Sequence, residues 1–432
     1  VTRRGLLLVA VAAAVFVALV VWVLLPPSEQ PYFDYVAKLR AEGVAVDYDG
    51  LRGKDVPPEE NGAADLLAAC DWLDANAPER EWTAPGPWKA DFNPDWRDHA
   101  TPEQIEDLAK LADRLAPFLA LMEKAASKPH IQFADRPRDA YGFADDGHIP
   151  KLQRTHRVLV ALMSGARDPA RRIDAMVCVA TLARRIDTVS SIDRMVAGAY
   201  SASAVFQVRT GLENGLLDPS AARSRLDPFF REEWLAQTPR IVRSERVLLI
   251  QTYRAILDGT IKVERGPWYE RLLGRMFGRE SRALDAGMAR EAVAMCENLR
   301  AAEALPVGHY TEYAKAMSQF TREDHVSSEA STIVVPAALK HFARHDAERR
   351  LARIALAAAE YRATHGDFPA SLDELKPMFP DGVPLDPFGD TPFVYTKTAT
   401  GVGIESAGRL AADAPIDEAT LRERCLVWEL KR

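Results

Sequence analysis

The stretch Asp168-Pro169-Ala170-Arg171-Arg172-Ile173-Asp174-Ala175-Met176-Val177-Cys178-Val179-Ala180-Thr181-Leu182-Ala183 decides the fold class. Asp168 offers an N-cap oxygen and Pro169 a preset first-turn φ, so the pair opens a helix. Ile173, Met176, Val177, Ala180 and Ala183, with Ile186 beyond them, recur every three or four residues and form one apolar face. The same grammar runs outward from there. Asp218-Pro219 and Asp227-Pro228 each predict a further helix start, and residues 282–305 read as another helix. Residues 241–257, with Val247-Leu248-Leu249-Ile250, are apolar on more than one side and are expected at the centre of a bundle. Residues 259–267 read as a loop.

Towards the N-terminus, residues 31–39 form a short amphipathic helix, 44–48 an extended piece and 50–58 a turn-rich linker. Asn61 is placed to cap a helix over 62–75, where Leu66, Leu67, Cys70 and Leu73 share a face. Thr101-Pro102-Glu103-Gln104 predicts a capping box, opening a helix that runs to about residue 126 with a bend at Pro117. The proline-rich stretches 77–100 and 128–150 are irregular. Short connections between helices favour antiparallel neighbours, so the expected fold class is mainly α: an irregular antiparallel helical array, with no residue-level repeat.

Composition agrees. The 432 residues carry 55 basic and 62 acidic side chains, about one in six is Ala, and 47% are hydrophobic. A net charge of −7 argues against nucleic acid as a partner, because phosphate contacts require a basic face. Cys70, Cys178, Cys296 and Cys425 lie about a hundred residues or more apart, so neither a C-x-x-C redox pair nor a zinc pattern occurs.

Residues 6–25 contain no charge, follow Arg3-Arg4 and precede Pro26-Pro27. At 1.5 Å per residue this run matches the roughly 30 Å hydrocarbon core of a bilayer, so it predicts one transmembrane helix. The arginines place the N-terminus in the cytoplasm and the body outside it. A cleaved signal peptide, even one of twin-arginine type, is the rival; the run is long for that role and no A-x-A site follows. The expected organisation is an anchor over 1–28, a helical extracytoplasmic body over 29–335 and a C-terminal unit over 336–432. The expected address is the cell membrane, single-pass.

That last unit reads differently. A long helix from about Ala337 through Leu351, Ile354, Ala355, Ala358 and Tyr361 ends at Gly366, and Ser371-Leu372-Asp373-Glu374 has the form of a capping box that Pro377 cuts short. Residues 392–395 and 402–405 read as a strand pair joined by a turn at 398–401. The run Ala359-Glu360-Tyr361-Arg362-Ala363-Thr364-His365-Gly366-Asp367-Phe368-Pro369-Ala370-Ser371-Leu372-Asp373-Glu374-Leu375, then Asp386-Pro387-Phe388-Gly389, Phe393-Val394-Tyr395 and Ser406-Ala407-Gly408, resembles the globular end of major type II secretion pseudopilins. It is also similar to the closing module of a broad set of uncharacterised single-pass bacterial membrane proteins with a helical body. Residues 57–64 resemble an early motif of that set.

The resemblance implies a small α+β module shaped by Tyr361, Gly366, Pro369, Leu375, Asp386, Pro387, Phe388, Gly389, Tyr395 and Gly408. It implies architecture and address, and no activity. Ala10 stands where a pilin cut after Gly5 would carry Glu, some 300 residues separate the apolar run from the module, and the Asp-Gly-rich calcium-binding end is replaced by Arg409-Leu410-Ala411-Ala412-Asp413.

For chemistry the sequence offers little. No P-loop, G-x-S-x-G, H-E-x-x-H or dinucleotide fingerprint occurs, and no cofactor is implied. His341 and His345 share a helix face at i, i+4, but a third metal ligand is not evident and Arg344, Arg349 and Arg350 would repel a cation, so a solvated face is expected and no metal site. Glu59-Glu60, Asp145-Asp146 and Glu232-Glu233 are read as surface acids. Trp82, Trp88 and Trp96, interleaved with polar residues, have the composition of a sugar- or peptide-binding surface; burial between helices is the competing expectation. The favoured function is a non-enzymatic interaction or assembly protein of the cell envelope with a protein partner there. The alternative is an exported glycan-binding protein or hydrolase using the Trp-rich loop.

Overall fold

The computed structural model describes residues 29–52, 54–77, 100–133, 148–187, 191–231, 233–258, 280–304, 329–406 and 427–431. The protein is mainly helical, with a small antiparallel sheet near the C-terminus. The helices are α1 Gln30–Ala41, α2 Tyr48–Arg52, α3 Ala63–Asn76, α4 Pro102–Arg114, α5 Ala116–Ser127, α6 His148–Gly165, α7 Pro169–Arg185, α8 Ser191–Glu213, α9 Pro219–Phe230, α10 Thr238–Leu257, α11 Glu280–Glu303 and α12 Glu329–His365. Among the described residues no helix is long and apolar enough to cross a membrane. The uncharged run 6–25, the Trp-rich loop 78–99 and Gly408 lie outside them.

The Asp-Pro starts at 168 and 218 form as expected: Asp168 accepts from Ala170 N at 2.9 Å, and Asp218 from Ser220 N and Ala221 N at 2.9 and 3.0 Å. The Thr101 box also closes, with Gln104 N donating to Thr101 Oγ1 at 3.2 Å and Thr101 N to Gln104 Oε1 at 2.8 Å. Several expectations are corrected. Asp227-Pro228 starts no helix: Pro228 lies in the last turn of α9, and the Asp227 carboxylate is held instead by Arg353 and Arg231 at 2.7 and 2.6 Å. The helix expected to bend at Pro117 is interrupted at Leu115, giving α4 and α5. Part of the expected extended piece and linker is the helix α2.

Helices α6, α7 and α8 form the middle of the body. Pairs His148–Asp193, His156–Ser203 and Ser164–Gln207 rise together along α6 and α8, so these two run parallel while both pack on α7. Helix α12 covers α8 and α9; its stretch from Phe342 to Ala358 supplies Phe342, Ala343, Ala347, Leu351, Ala352 and Ile354 through Ala358 to the main core. That stretch, not α10, is the centre of the protein. Helix α10 instead reaches from the main core, at Ile241, to a second cluster where Ile250 and Tyr253 meet Tyr32, Val36 and Leu39 of α1 and Ala289, Ala292 and Cys296 of α11.

After α12, Gly366 takes φ +81°, the left-handed conformation expected of it. Ser371 makes no cap hydrogen bond, and Leu372–Met378 is a 3₁₀ helix; Glu374 turns away to accept from Ala370 N and Tyr361 Oη, both at 3.0 Å. Strands β1 Leu385–Asp386 and β2 Thr391–Pro392 form a short ladder. Strands β3 Val394–Lys397, β4 Gly401–Glu405 and β5 Val427–Lys431 form an antiparallel sheet ordered β3-β4-β5. Ile404 pairs with Trp428 and Val402 with Leu430, and all four side chains are buried.

Candidate functional site

Ionisable side chains gather where α8, α12 and the segment before α10 meet. Asp346 of α12 is buried and accepts from the main-chain N–H groups of Trp234 at 2.7 Å and Leu235 at 2.8 Å, capping the 3₁₀ turn Leu235–Gln237 that leads into α10. Burial raises its pKa, opposed by Arg349 at 3.6 Å and the two N–H donors. Arg349, also buried, donates to the carbonyl of Phe229 near the end of α9. The Trp234 ring lies under the Arg194 guanidinium of α8, 4.1 Å from centroid to Cζ, and 5.9 Å from the His345 ring.

His345 is only 4% exposed, which corrects the expectation of a solvated face; His341 one turn earlier does remain exposed. Their Nε2 atoms are 2.9 Å apart, and His345 Nδ1 is 3.5 Å from Glu348 Oε2. Partial desolvation of the ring where it meets His345, with the His345 ring alongside, pushes the His341 pKa down to about 4 although its outer edge is exposed. Glu348 is held below the usual carboxylate range: burial opposes ionisation, but the His345 ring alongside and the Arg344 guanidinium at 2.9 Å outweigh it. Among the described residues no three His, Cys, Asp or Glu side chains converge as a metal-binding group. Asp346, the carboxylate next to His345 in sequence, is committed to the Trp234 and Leu235 amides.

Other buried or half-buried polar groups are engaged in the same structural way. Arg172 donates to the Ser164 and Ala166 carbonyls at 3.3 and 2.8 Å, at the end of α6; Arg185 donates to Ala126 O and, at 2.7 Å, to Lys128 O at the end of α5. Cationic groups at helix C-termini satisfy orphan carbonyls and complement the helix dipole. Burial pushes the Cys70 thiol up to about 11 and that of Cys296 to about 12, and raises Cys178 as well, so none is a ready thiolate near neutral pH.

In the C-terminal module Asp386 is fully buried, accepting from Ser406 Oγ at 2.6 Å and Phe388 N at 3.1 Å. Pro387 and Phe388 are buried beside it, and Gly389 N donates to Asp386 O at 3.3 Å. Tyr395 Oη donates to Pro369 O at 2.8 Å, Tyr361 stacks on His365 with centroids 4.0 Å apart, and Leu375 lies in the core. The structure thus joins helix end, turn and sheet through these residues. Trp82, Trp88 and Trp96 fall outside the described residues.

No protein-family description, no curated protein and no solved structure matches this chain. The Arg194–Trp234–His345–Asp346 assembly is not visible in the sequence because Arg194, Trp234 and the His345-Asp346 pair lie 40 or more positions from one another and meet only through helix packing. Only the i, i+4 spacing of His341 and His345 was visible.

Proposed function

We propose that the protein is a membrane-anchored, extracytoplasmic component of the cell envelope that acts by interaction or assembly with a protein partner. The observation that carries this reading is the use of the buried and half-buried charges. Arg172, Arg185 and Arg349 close helix C-termini, Asp346 closes a helix start, and Asp386 ties a turn to the end of a strand. Such placements fix a rigid frame of the kind a binding or assembly surface needs.

The uncharged run 6–25 behind Arg3-Arg4 supports the anchor and the orientation. The pseudopilin-like reading of the tail supports an interaction role, as do the exposed side chains of Leu385 (44%) and Val394 (41%) on its strands. The Trp-rich loop favours the second reading, an exported glycan-binding protein or hydrolase, through its composition alone.

Membrane fractionation with an alkaline carbonate wash, followed by protease treatment of intact spheroplasts, tests the proposal. The protein should stay in the pellet and its body should be digested without lysis. Recovery in the soluble cytosolic fraction, or protection of the body until lysis, would overturn it.

A further inference from the structure

We propose that His341 and His345 form a bidentate imidazole site for a first-row divalent transition ion of the Zn²⁺ or Cu²⁺ type, completed by solvent. The argument begins with distance. Two metal–nitrogen bonds of about 2.0–2.1 Å enclosing a right angle set their nitrogens roughly 2.9 Å apart, and a tetrahedral angle widens this by only about 0.4 Å. The His341 and His345 Nε2 atoms are 2.9 Å apart, joined by an N–H···N hydrogen bond whose bridging proton an ion would replace. An i, i+4 pair on one helix turn reaches this separation without backbone movement.

Ligation needs a lone pair on each Nε2, so each ring must carry its proton on Nδ1. For His345 that places an N–H on the side of Glu348 Oε2, 3.5 Å away, where a small approach of the carboxylate would complete the carboxylate–imidazole arrangement that orients the ring in metal sites. Packing of His345 against Trp234 fixes the ring further. His341 is exposed, which leaves the ion an approach and room for water ligands.

The basic residues nearby do not bar a cation as their sequence proximity suggests. Arg344 is paired with Glu348 at 2.9 Å, Arg349 faces Asp346 and the Phe229 carbonyl, and Arg350 is paired with Glu233 at 2.9 Å. Among the described residues these three arginines each have a carboxylate against them, and the Arg194 guanidinium lies over the Trp234 ring. Imidazole pairs of this kind suit Zn²⁺, Cu²⁺ and Ni²⁺ and have little affinity for Mg²⁺ or Ca²⁺.

The test uses the full chain without a polyhistidine tag, stripped of metal. Titration with Zn²⁺ should show one saturable site, weakened at least tenfold in His341→Ala, whose exposed position lets the fold persist. His365→Ala, which removes another imidazole of the same helix, should bind as the parent does. Cu²⁺ loaded at one equivalent should show coupling to two imidazole nitrogens by pulsed electron paramagnetic resonance, falling to one or none in His341→Ala. Zn²⁺ affinity that is unchanged in His341→Ala, absence of a saturable site, or Cu²⁺ coupled to a single imidazole in the parent would each overturn the proposal.

Discussion

His156 shows how a single buried side chain governs a solution property. Its Nε2 lies 2.6 Å from Ser203 Oγ, its ring is 4.9 Å from that of Tyr200, and Ser203 in turn donates to the Ala199 carbonyl at 2.9 Å. Burial pushes its pKa down to about 4; a hydrogen bond to the Ala199 backbone works against the shift and Arg157 works with it. The unfolded chain therefore binds a proton near pH 6.5 while the folded protein stays neutral there. Stability is fully present above pH 6.5 and falls as the pH drops towards 4, by on the order of 3 kcal/mol from this group. Urea unfolding at a series of pH values should show that loss, and His156→Gln, which keeps a partner for Ser203, should flatten the curve between pH 6.5 and 4. An unchanged slope in the variant would mean that the ring titrates normally. Neither this pair nor His148–Asp193 was legible in the sequence, since each joins residues 45 or more apart through the register of two parallel helices.

At the scale of elements, the helix ends account for much of the specificity. Local grammar sufficed where the partner is local: Asp168, Asp218 and Thr101 cap as their sequence context requires, and Gly366 ends α12. It failed where a distant charge competes. Asp227 is drawn to Arg353 across the α9–α12 contact, so its Asp-Pro step becomes the interior of a helix. Ser371 loses its box because Glu374 finds Tyr361. Strand β5 was overlooked although Val427-Trp428-Glu429-Leu430-Lys431 alternates inward apolar with outward polar residues, a period-2 pattern hidden by its shortness. Close approach is the other device at this scale. Gly62, ahead of α3, donates to His130 O at 2.8 Å, and a Cβ there would come within 2.3 Å of the Ala125 carbonyl oxygen on α5. Gly62→Ala should therefore push α3 off α5 and cost about 1–3 kcal/mol in chemical denaturation. A change below a few tenths of a kcal/mol would show that the contact yields freely.

For the whole molecule, the division into two apolar clusters has a consequence for dynamics. The main cluster runs from α3 through the centre of α12 to Val402, Ile404, Trp428 and Leu430 of the sheet, so body and tail share one described core. The second holds, among the described residues, ten buried side chains, including Tyr32, Tyr35, Leu39, Ile250, Tyr253 and Cys296, where α1 and α11 close on the far half of α10. Among the described residues its cross-links include Tyr32 Oη donating to Ile250 O at 2.5 Å, Gln251 Nε2 donating to Val46 O at 2.7 Å, Arg300 paired with Glu42 at 2.7 Å, and Arg243 and Arg246 both reaching Glu303. A small cluster buries less apolar area, so its opening requires less free energy than global unfolding. Native-state hydrogen exchange followed by mass spectrometry should then find α1 and α11 exchanging through a sub-global opening. Amides of α12 between Phe342 and Ala358, surrounded by the main core, should exchange only with complete unfolding. Because α10 belongs to both clusters, its amides should divide along its length, with protection high near Ile241 and lower near Tyr253. Uniform protection across α1, α10, α11 and α12 would instead mean that the two clusters unfold as one cooperative unit, with α10 transmitting the full stability of the main core to the smaller one.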